Sequence, residues 1–292
     1  MTDSLTIFLQ LPYFLVSLVF VIGLMIGSFL NVVIYRLPII LHRNWRSECT
    51  DYLQIDASNT LPLEPFNLAL PLSHCPNCHV PIKFYHNIPV ISYLLLKGRC
   101  SACQSKISLR YPIIELFTGL TSAMVAWHFG YTLETVFALI LTWSLISLSF
   151  IDIDHQLLPD NITLPILWLG IALSLFGYFT DTHASIIGTI AGYLSLWSLY
   201  HLFKLLTKKE GMGYGDFKLL ALLGAWLGWH YLPLIILLSS LVGTIIGLLM
   251  ISLNKQDRNT PIPFGPYLAV SGWLALIWGN DLNNFYFNSA GF

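Results

Sequence analysis

Two stretches decide how this chain is read: Asp152-Ile153-Asp154-His155-Gln156-Leu157-Leu158-Pro159-Asp160 and Gly211-Met212-Gly213-Tyr214-Gly215-Asp216. Asp152 and Asp216 each sit where a long apolar run meets a polar segment. A carboxylate beside lipid is costly, roughly 2.5–3.5 kcal/mol at a helix centre and less near the ends. A chain with only 15 acidic residues that spends two of them here has a use for them.

The apolar runs on either side set the fold class. The chain has 292 residues, of which 55% are hydrophobic and 10% charged, against about 25% charged in ordinary soluble domains. The expectation is an all-α polytopic membrane protein whose surroundings are lipid. A net charge of −1 gives no field to attract nucleic acid. Residues 12–35 form the first apolar run, too long for a signal-peptide core. Asp3 and no Lys or Arg precede it, so it is expected to stay as a helix.

A polar stretch follows, about residues 36–110, with seven prolines from Pro38 to Pro89 and all five cysteines, four of them in two tight pairs. It is expected to be a small extramembrane domain with little regular structure. Further apolar spans fall at about 113–129, 134–151, 162–179, 185–206, 217–232, 233–253 and 265–279, which with the first makes about eight. The expected division is a first helix in 1–35, a cysteine domain in 36–112 inserted after it, and a helical domain in 113–292.

The basic residues orient this arrangement. With the cysteine domain in the cytoplasm, the cytoplasmic segments are 36–112, 152–161, 207–216 and 254–264. Twelve of the 14 Lys and Arg lie in these segments, and Lys204 and Lys218 lie within a turn of them. This is a positive-inside pattern. It puts Asp152 and Asp216 on the same cytoplasmic face, where they can meet.

Cys75-Pro-Asn-Cys78 and Cys100-Ser-Ala-Cys103 have the form of two zinc knuckles. A cytosolic face keeps thiols reduced, which favours metal over two disulfides. Four thiolates leave no open coordination position, so Zn²⁺ held by Cys75, Cys78, Cys100 and Cys103 is expected to be structural. Cys49 is left over, and His74 and His79 flank the first pair as bystanders.

Two carboxylates that share a proton can hydrolyse an amide directly: one takes a proton from water while the other donates to the carbonyl oxygen. Gly213 and Gly215 allow close backbone approach ahead of Asp216. The competing role for Asp216 is an N-cap for the next helix, and a cap is the favoured reading for Asp160. Asp152 and Asp154 lie about 200° apart on a helix, so only one of them faces a given site; spacing does not say which. Gly211-x-Gly213-x-Gly215 follows a polar linker and not a strand, which argues against a nucleotide loop.

The chain resembles the bacterial type IV prepilin peptidases, the bifunctional leader peptidases and N-methyltransferases among the GxGD membrane aspartyl proteases. The likeness runs through Gly27-Ser28-Phe29-Leu30-Asn31 to Arg36-Leu37-Pro38, the cysteine pairs, Arg110-Tyr111-Pro112-Ile113-Ile114-Glu115, the Asp152–Asp160 segment, Gly213-Tyr214-Gly215-Asp216, and Ile262-Pro263-Phe264-Gly265-Pro266-Tyr267. The resemblance implies that Asp152 and Asp216 form the catalytic pair. It implies prepilin or pseudopilin substrates of type IV pilus and type II secretion systems. Their short basic leader would be cut after glycine at the cytoplasmic face of the inner membrane. The new N-terminus, usually Phe, would then be methylated from S-adenosylmethionine. Asn31, Arg36 and Glu115 are candidate contacts for the methyl-transfer half. Each also has a plain reading: Asn31 as an interhelical donor, Arg36 as a topology anchor, Glu115 as a partner for a nearby base.

Two other functions compete. An ion-coupled transporter would carry acids at the midplane and show repeated halves; here the acids end helices and no repeat is visible. A zinc-ribbon membrane adaptor without catalysis explains the cysteines but not the Gly-x-Gly-Asp string.

Overall fold

The computed structural model describes residues 12–54, 66–209, 211–252 and 262–290. Among these residues all regular elements are helices: α1 Pro12–Tyr52, α2 Ile91–Leu95, α3 Arg110–Phe129, α4 Leu133–His155, α5 Asp160–Ser174, α6 Thr182–Thr207, α7 Tyr214–Leu227, α8 Leu232–Ser252 and α9 Gly265–Ala290. The chain forms an all-α membrane protein. Among the described residues four helical stretches are long and apolar enough to cross a bilayer: Tyr13–Tyr52, Leu133–His155, Thr182–Thr207 and Trp229–Met250. The chain divides into two compact units, Met1–Thr135 and Val136–Phe292.

In the first unit α1 packs along α3. Small residues let the backbones meet: a Cβ on Gly27 would lie 2.7 Å from Glu115 Cα, and one on Gly23 would lie 2.9 Å from Gly119 Cα. The first helix does not stop near Tyr35. It runs 41 residues, about 60 Å, through Pro38. The buried stripe Leu30, Ile34, Leu37 and Leu41 carries the helical period across the proline. Part of the stretch expected to lack regular structure is therefore helical. Its far half is pinned by Arg36, whose guanidinium donates to the carbonyls of Asn67 (3.0 Å), Leu68 (3.4 Å) and Pro71 (2.7 Å). Arg43 lies 4.5 Å over the Phe66 ring.

In the second unit α7 is the central element. From Leu219 to Leu227 every residue is buried, the pattern of a helix enclosed on all sides. At 14 residues, about 21 Å, α7 is shorter than the roughly 30 Å hydrocarbon layer. It packs against α5, α6 and α9. The helices tie to each other's backbones where side chains reach across: Trp226 Nε1 donates to the Ile166 carbonyl at 2.8 Å, and Ser185 Oγ to the Ala225 carbonyl at 2.7 Å. Such bonds are worth about 0.6 kcal/mol each in membrane bundles.

The tightest crossing is α6 on α7. A Cβ on Gly224 would meet the Gly188 carbonyl, and one on Gly188 would meet the Gly224 carbonyl. Because the obstruction is backbone on both sides, no side chain can yield. We expect Gly224→Ala to cost about 1–3 kcal/mol, visible as a lowered unfolding temperature of the detergent-solubilised protein; an unchanged transition would contradict this packing.

Candidate active site and metal centre

The Asp152–Asp160 segment is a helix end, a turn and a helix start. Asp152 lies in the last turn of α4, and its carbonyl accepts the Gln156 N–H at 2.8 Å. Gln156 turns the chain at φ 51°. Pro159 then begins α5, its carbonyl taking the N–H groups of Ile162 and Thr163 and the Thr163 hydroxyl. Asp160 is thus not the cap expected of it. It occupies the first turn of α5, where its carboxylate meets Lys218 Nζ of α7 at 2.7 Å. Both partners are partly exposed, so the pair adds about 0–1 kcal/mol; it does link this segment to α7.

Asp152 is 5% exposed and Asp154 lies at the surface. Of the two acids whose faces spacing left open, Asp152 is the buried one. Asp152 Oδ2 accepts the Gly265 N–H at 3.0 Å. Gly265 opens α9 and its N–H is one of the donors that a helix start leaves unpaired; Pro266 beside it has none to satisfy. The carboxylate therefore sits at the positive end of α9.

Asp216 is 7% exposed in the first turn of α7. It is not the N-cap. Gly213 holds that position, and Asp216 Oδ2 reaches back to accept the Gly213 N–H at 3.2 Å. Each acid thus gives one oxygen to a backbone amide at a helix start. Among the described residues neither Oδ1 has a protein donor within bonding distance. Asp152 and Asp216 stand close enough for their charges to act on each other.

Leu158 holds the two halves together. A Cβ on Gly215 would lie 2.8 Å from Leu158 Cβ; one on Gly265 would lie 2.7 Å from Asp152 Oδ2 and 3.2 Å from Leu158 Cδ1. Gly215 and Gly265 are both required because any side chain would push Leu158 or Asp152 aside. Sequence reasoning missed this role of Leu158 and Gly265, although the Pro263-Phe264-Gly265-Pro266 string, with glycine between an aromatic and a proline at a helix start, signals a close approach.

The first unit carries the cysteines. One sulfur from each of Cys75, Cys78, Cys100 and Cys103 lies within 4.8 Å of all the others. Cys75 and Cys103 sulfurs are 3.8 Å apart, Cys78 and Cys100 sulfurs 4.0 Å. Ligands about 2.3 Å from a tetrahedral zinc lie about 3.8 Å from each other, so the four residues fit such an ion. They form a metal-binding cluster built from two matching knuckles. Cys75 N donates to the Val80 carbonyl and Cys100 N to the Ser105 carbonyl, at 3.0 and 2.9 Å. The fourth residue after each first cysteine, His79 and Gln104, takes a positive φ of 56° and 58°. The Ser105 hydroxyl, 3.1 Å from its sulfur, pulls the Cys103 thiol down to about 5. Backbone N–H groups of Cys78 and Asn77 lower that of Cys75. Against the Val80 amide, burial and the neighbouring thiols push Cys78 up to about 11. A cluster that holds some sulfurs as thiolates and crowds the others is poised for a cation. His74 is turned away, its Nδ1 donating to the Leu72 carbonyl at 3.0 Å, and Cys49 is exposed outside the cluster.

The other singled-out polar residues are engaged by the chain itself. Asn31 donates to the Tyr111 carbonyl at 3.2 Å, which is the interhelical bond expected of it. Arg36 holds the carbonyls already described. Glu115, expected beside a base, instead accepts the Val90 N–H at 2.7 Å.

The chain was compared with known proteins. Residues 21–129 match the Bacterial Peptidase A24 N-terminal domain, and residues 139–248 match the Type IV leader peptidase family. The chain is 53% identical over 283 residues to a prepilin leader peptidase/N-methyltransferase of Stutzerimonas stutzeri, covering 96% of each chain. It is 52% identical over 287 residues to that of Pseudomonas aeruginosa, again 96% of each, and 49% identical over 272 residues to that of Neisseria gonorrhoeae, 92% of each. The chain belongs to the type IV leader peptidase family. The two matched regions leave out the start of α4 and the whole of α9, so Asp152 lies within them and its donor Gly265 outside. No solved structure matches.

Replacing Cys75 and Cys78 together with Ser removes half of the cluster. We expect the purified double variant to lose its bound metal, as read by elemental analysis, while Cys49→Ser keeps it. Unchanged metal content in the double variant would contradict the site.

Proposed function

We propose that this chain is a membrane aspartic endopeptidase that removes the short basic leader of prepilins and pseudopilins after glycine, and then N-methylates the new terminus. Asp152 and Asp216 carry the hydrolysis. The observation that supports this most is their pairing: two buried acids from different helices, each anchored by one oxygen to a helix-start amide, each leaving the other oxygen to a substrate. In this reading one carboxylate removes a proton from water as it attacks the scissile carbonyl. The other protonates the carbonyl oxygen; as the C–N bond breaks, the first passes the proton it took from water to the departing amine, and the second recovers its proton from the hydroxyl as the carbonyl re-forms. The glycine backbone at Gly213–Gly215 gives an extended substrate room beside the acids.

The site faces the cytoplasm at the inner membrane, on the basic-residue pattern of the loops. That placement suits a leader that stays cytoplasmic while the apolar helix behind it enters the bilayer. Zn²⁺ is the ion for the four cysteines. With all four positions filled by sulfur it would stiffen the knuckles and leave no place for substrate. The methyl donor is S-adenosylmethionine. Asn31, Arg36 and Glu115 are bound to the chain's own backbone, and none of them is assigned to methyl transfer.

Incubation with a synthetic prepilin and S-adenosylmethionine tests the reading. We expect the product to be short by its leader and heavier by one methyl group in the mass spectrum. Asp152→Asn and Asp216→Asn should each abolish cleavage while still inserting in membranes. Normal leader removal by both Asn variants would sink the dyad; an adaptor or transporter would leave the prepilin intact.

A further inference from the structure

We propose that the groove between α6 and α8 seats the apolar helix of the substrate. This rests on the peptidase reading above and adds where the substrate lies. The groove has a volume of about 600 Å³. Ile187, Ala191 and Ser195 form one wall at four-residue steps along α6. Ile236 and Ser240 form the other along α8, and Trp229 closes one end. Two parallel rows at helical spacing, about 12 Å long, make a lane for a third helix. Ala191, Ser195 and Ser240 are small, which lets a helix backbone come near. Ser195 Oγ donates to the Gly192 carbonyl of its own helix at 3.0 Å, so the wall is apolar in effect.

The register gives the lane its direction. On the antiparallel pair α6 and α7, Gly188 lies against Gly224, and Gly192 against Leu220. One further turn brings Ser195 level with Asp216 and Phe217. The groove therefore begins at the height of the carboxylates and runs towards the opposite face, ending at Trp229. A helix lying in it has its first residues level with the acids and its apolar body alongside α6 and α8. A lipid chain would suit the same apolar walls, but the alignment with Asp216 does not select one.

Ala191→Trp fills the lane, while Ile190→Trp, at a 54% exposed position outside it, does not. Both are assayed in proteoliposomes on a full-length prepilin and on a leader peptide that stops shortly after the cut. We expect Ala191→Trp to raise the KM for prepilin on the order of tenfold with little change in kcat. Cleavage of the short peptide should be unaffected, and Ile190→Trp should match the wild type. Equal behaviour of the two variants on prepilin overturns the proposal. Should Ala191→Trp impair both substrates alike, a benzophenone side chain at Ile236 in the Asp216→Asn protein decides. Capture of prepilin supports the lane; capture of lipid alone overturns it. Failure of the wild-type chain to cleave either substrate overturns the peptidase reading itself.

Discussion

The hydrogen bond from the Gly265 amide to Asp152 Oδ2, packed over Leu158, is the contact on which the second unit's candidate site depends. It joins the end of α4 to the start of α9. Leu158 in turn presses on Gly215, one residue before Asp216. Three segments far apart in sequence thereby meet within a few ångströms, and every member is small, buried or committed. The cost of burying Asp152 is offset by an amide that would otherwise be unpaired at a helix start. The same holds for Asp216 and the Gly213 amide. The acids are thus both structural and available: one oxygen fixes the backbone, and the other has no protein donor among the described residues. Carboxylates kept this way can be buried without being neutralised by a Lys or Arg, which would quench them as acids and bases.

Much of the fold was legible because a bilayer punishes irregularity. Apolar runs located the eight long helices of the described residues, and most of their ends fall near the expected ones; the exceptions are α1, which runs on to Tyr52, and α9, which runs on to Ala290. The extension of α1 to Tyr52 was hidden by Pro38, which reads as a breaker; the period Leu30, Ile34, Leu37, Leu41 was the better guide. Asp160 was misread because Asp at a helix start suggests a cap. Pro159 had taken that place, and its partner Lys218 lies 58 residues away, beyond any local rule. Asp152 is buried and Asp154 exposed, a difference of helix face that two residues of spacing cannot convey. The pairing of Asp152 with Gly265 depends on tertiary packing alone.

The cysteine cluster was legible for the opposite reason. Ligand spacing within a knuckle is local, since each C-x-x-C loop is closed by its own backbone bonds and one positive-φ residue. The match between the Cys75 and Cys100 loops extends to His79 and Gln104, neither of which has a side-chain type in common with the other. What repeats is backbone geometry, so residue identity outside the thiols says little. Asn31, Arg36 and Glu115 are polar residues among apolar ones, and such residues in a membrane protein find backbone partners first.

The central claim is that Asp152 and Asp216 act as one unit. A double-variant cycle on the rate of leader removal tests it most directly, with Asp152→Asn, Asp216→Asn and both together measured in single turnover. Residues that act together lose their contribution once. The account predicts that the double variant is no slower than the more damaged single variant. Losses that multiply, or a single variant that keeps a near wild-type rate, would contradict it.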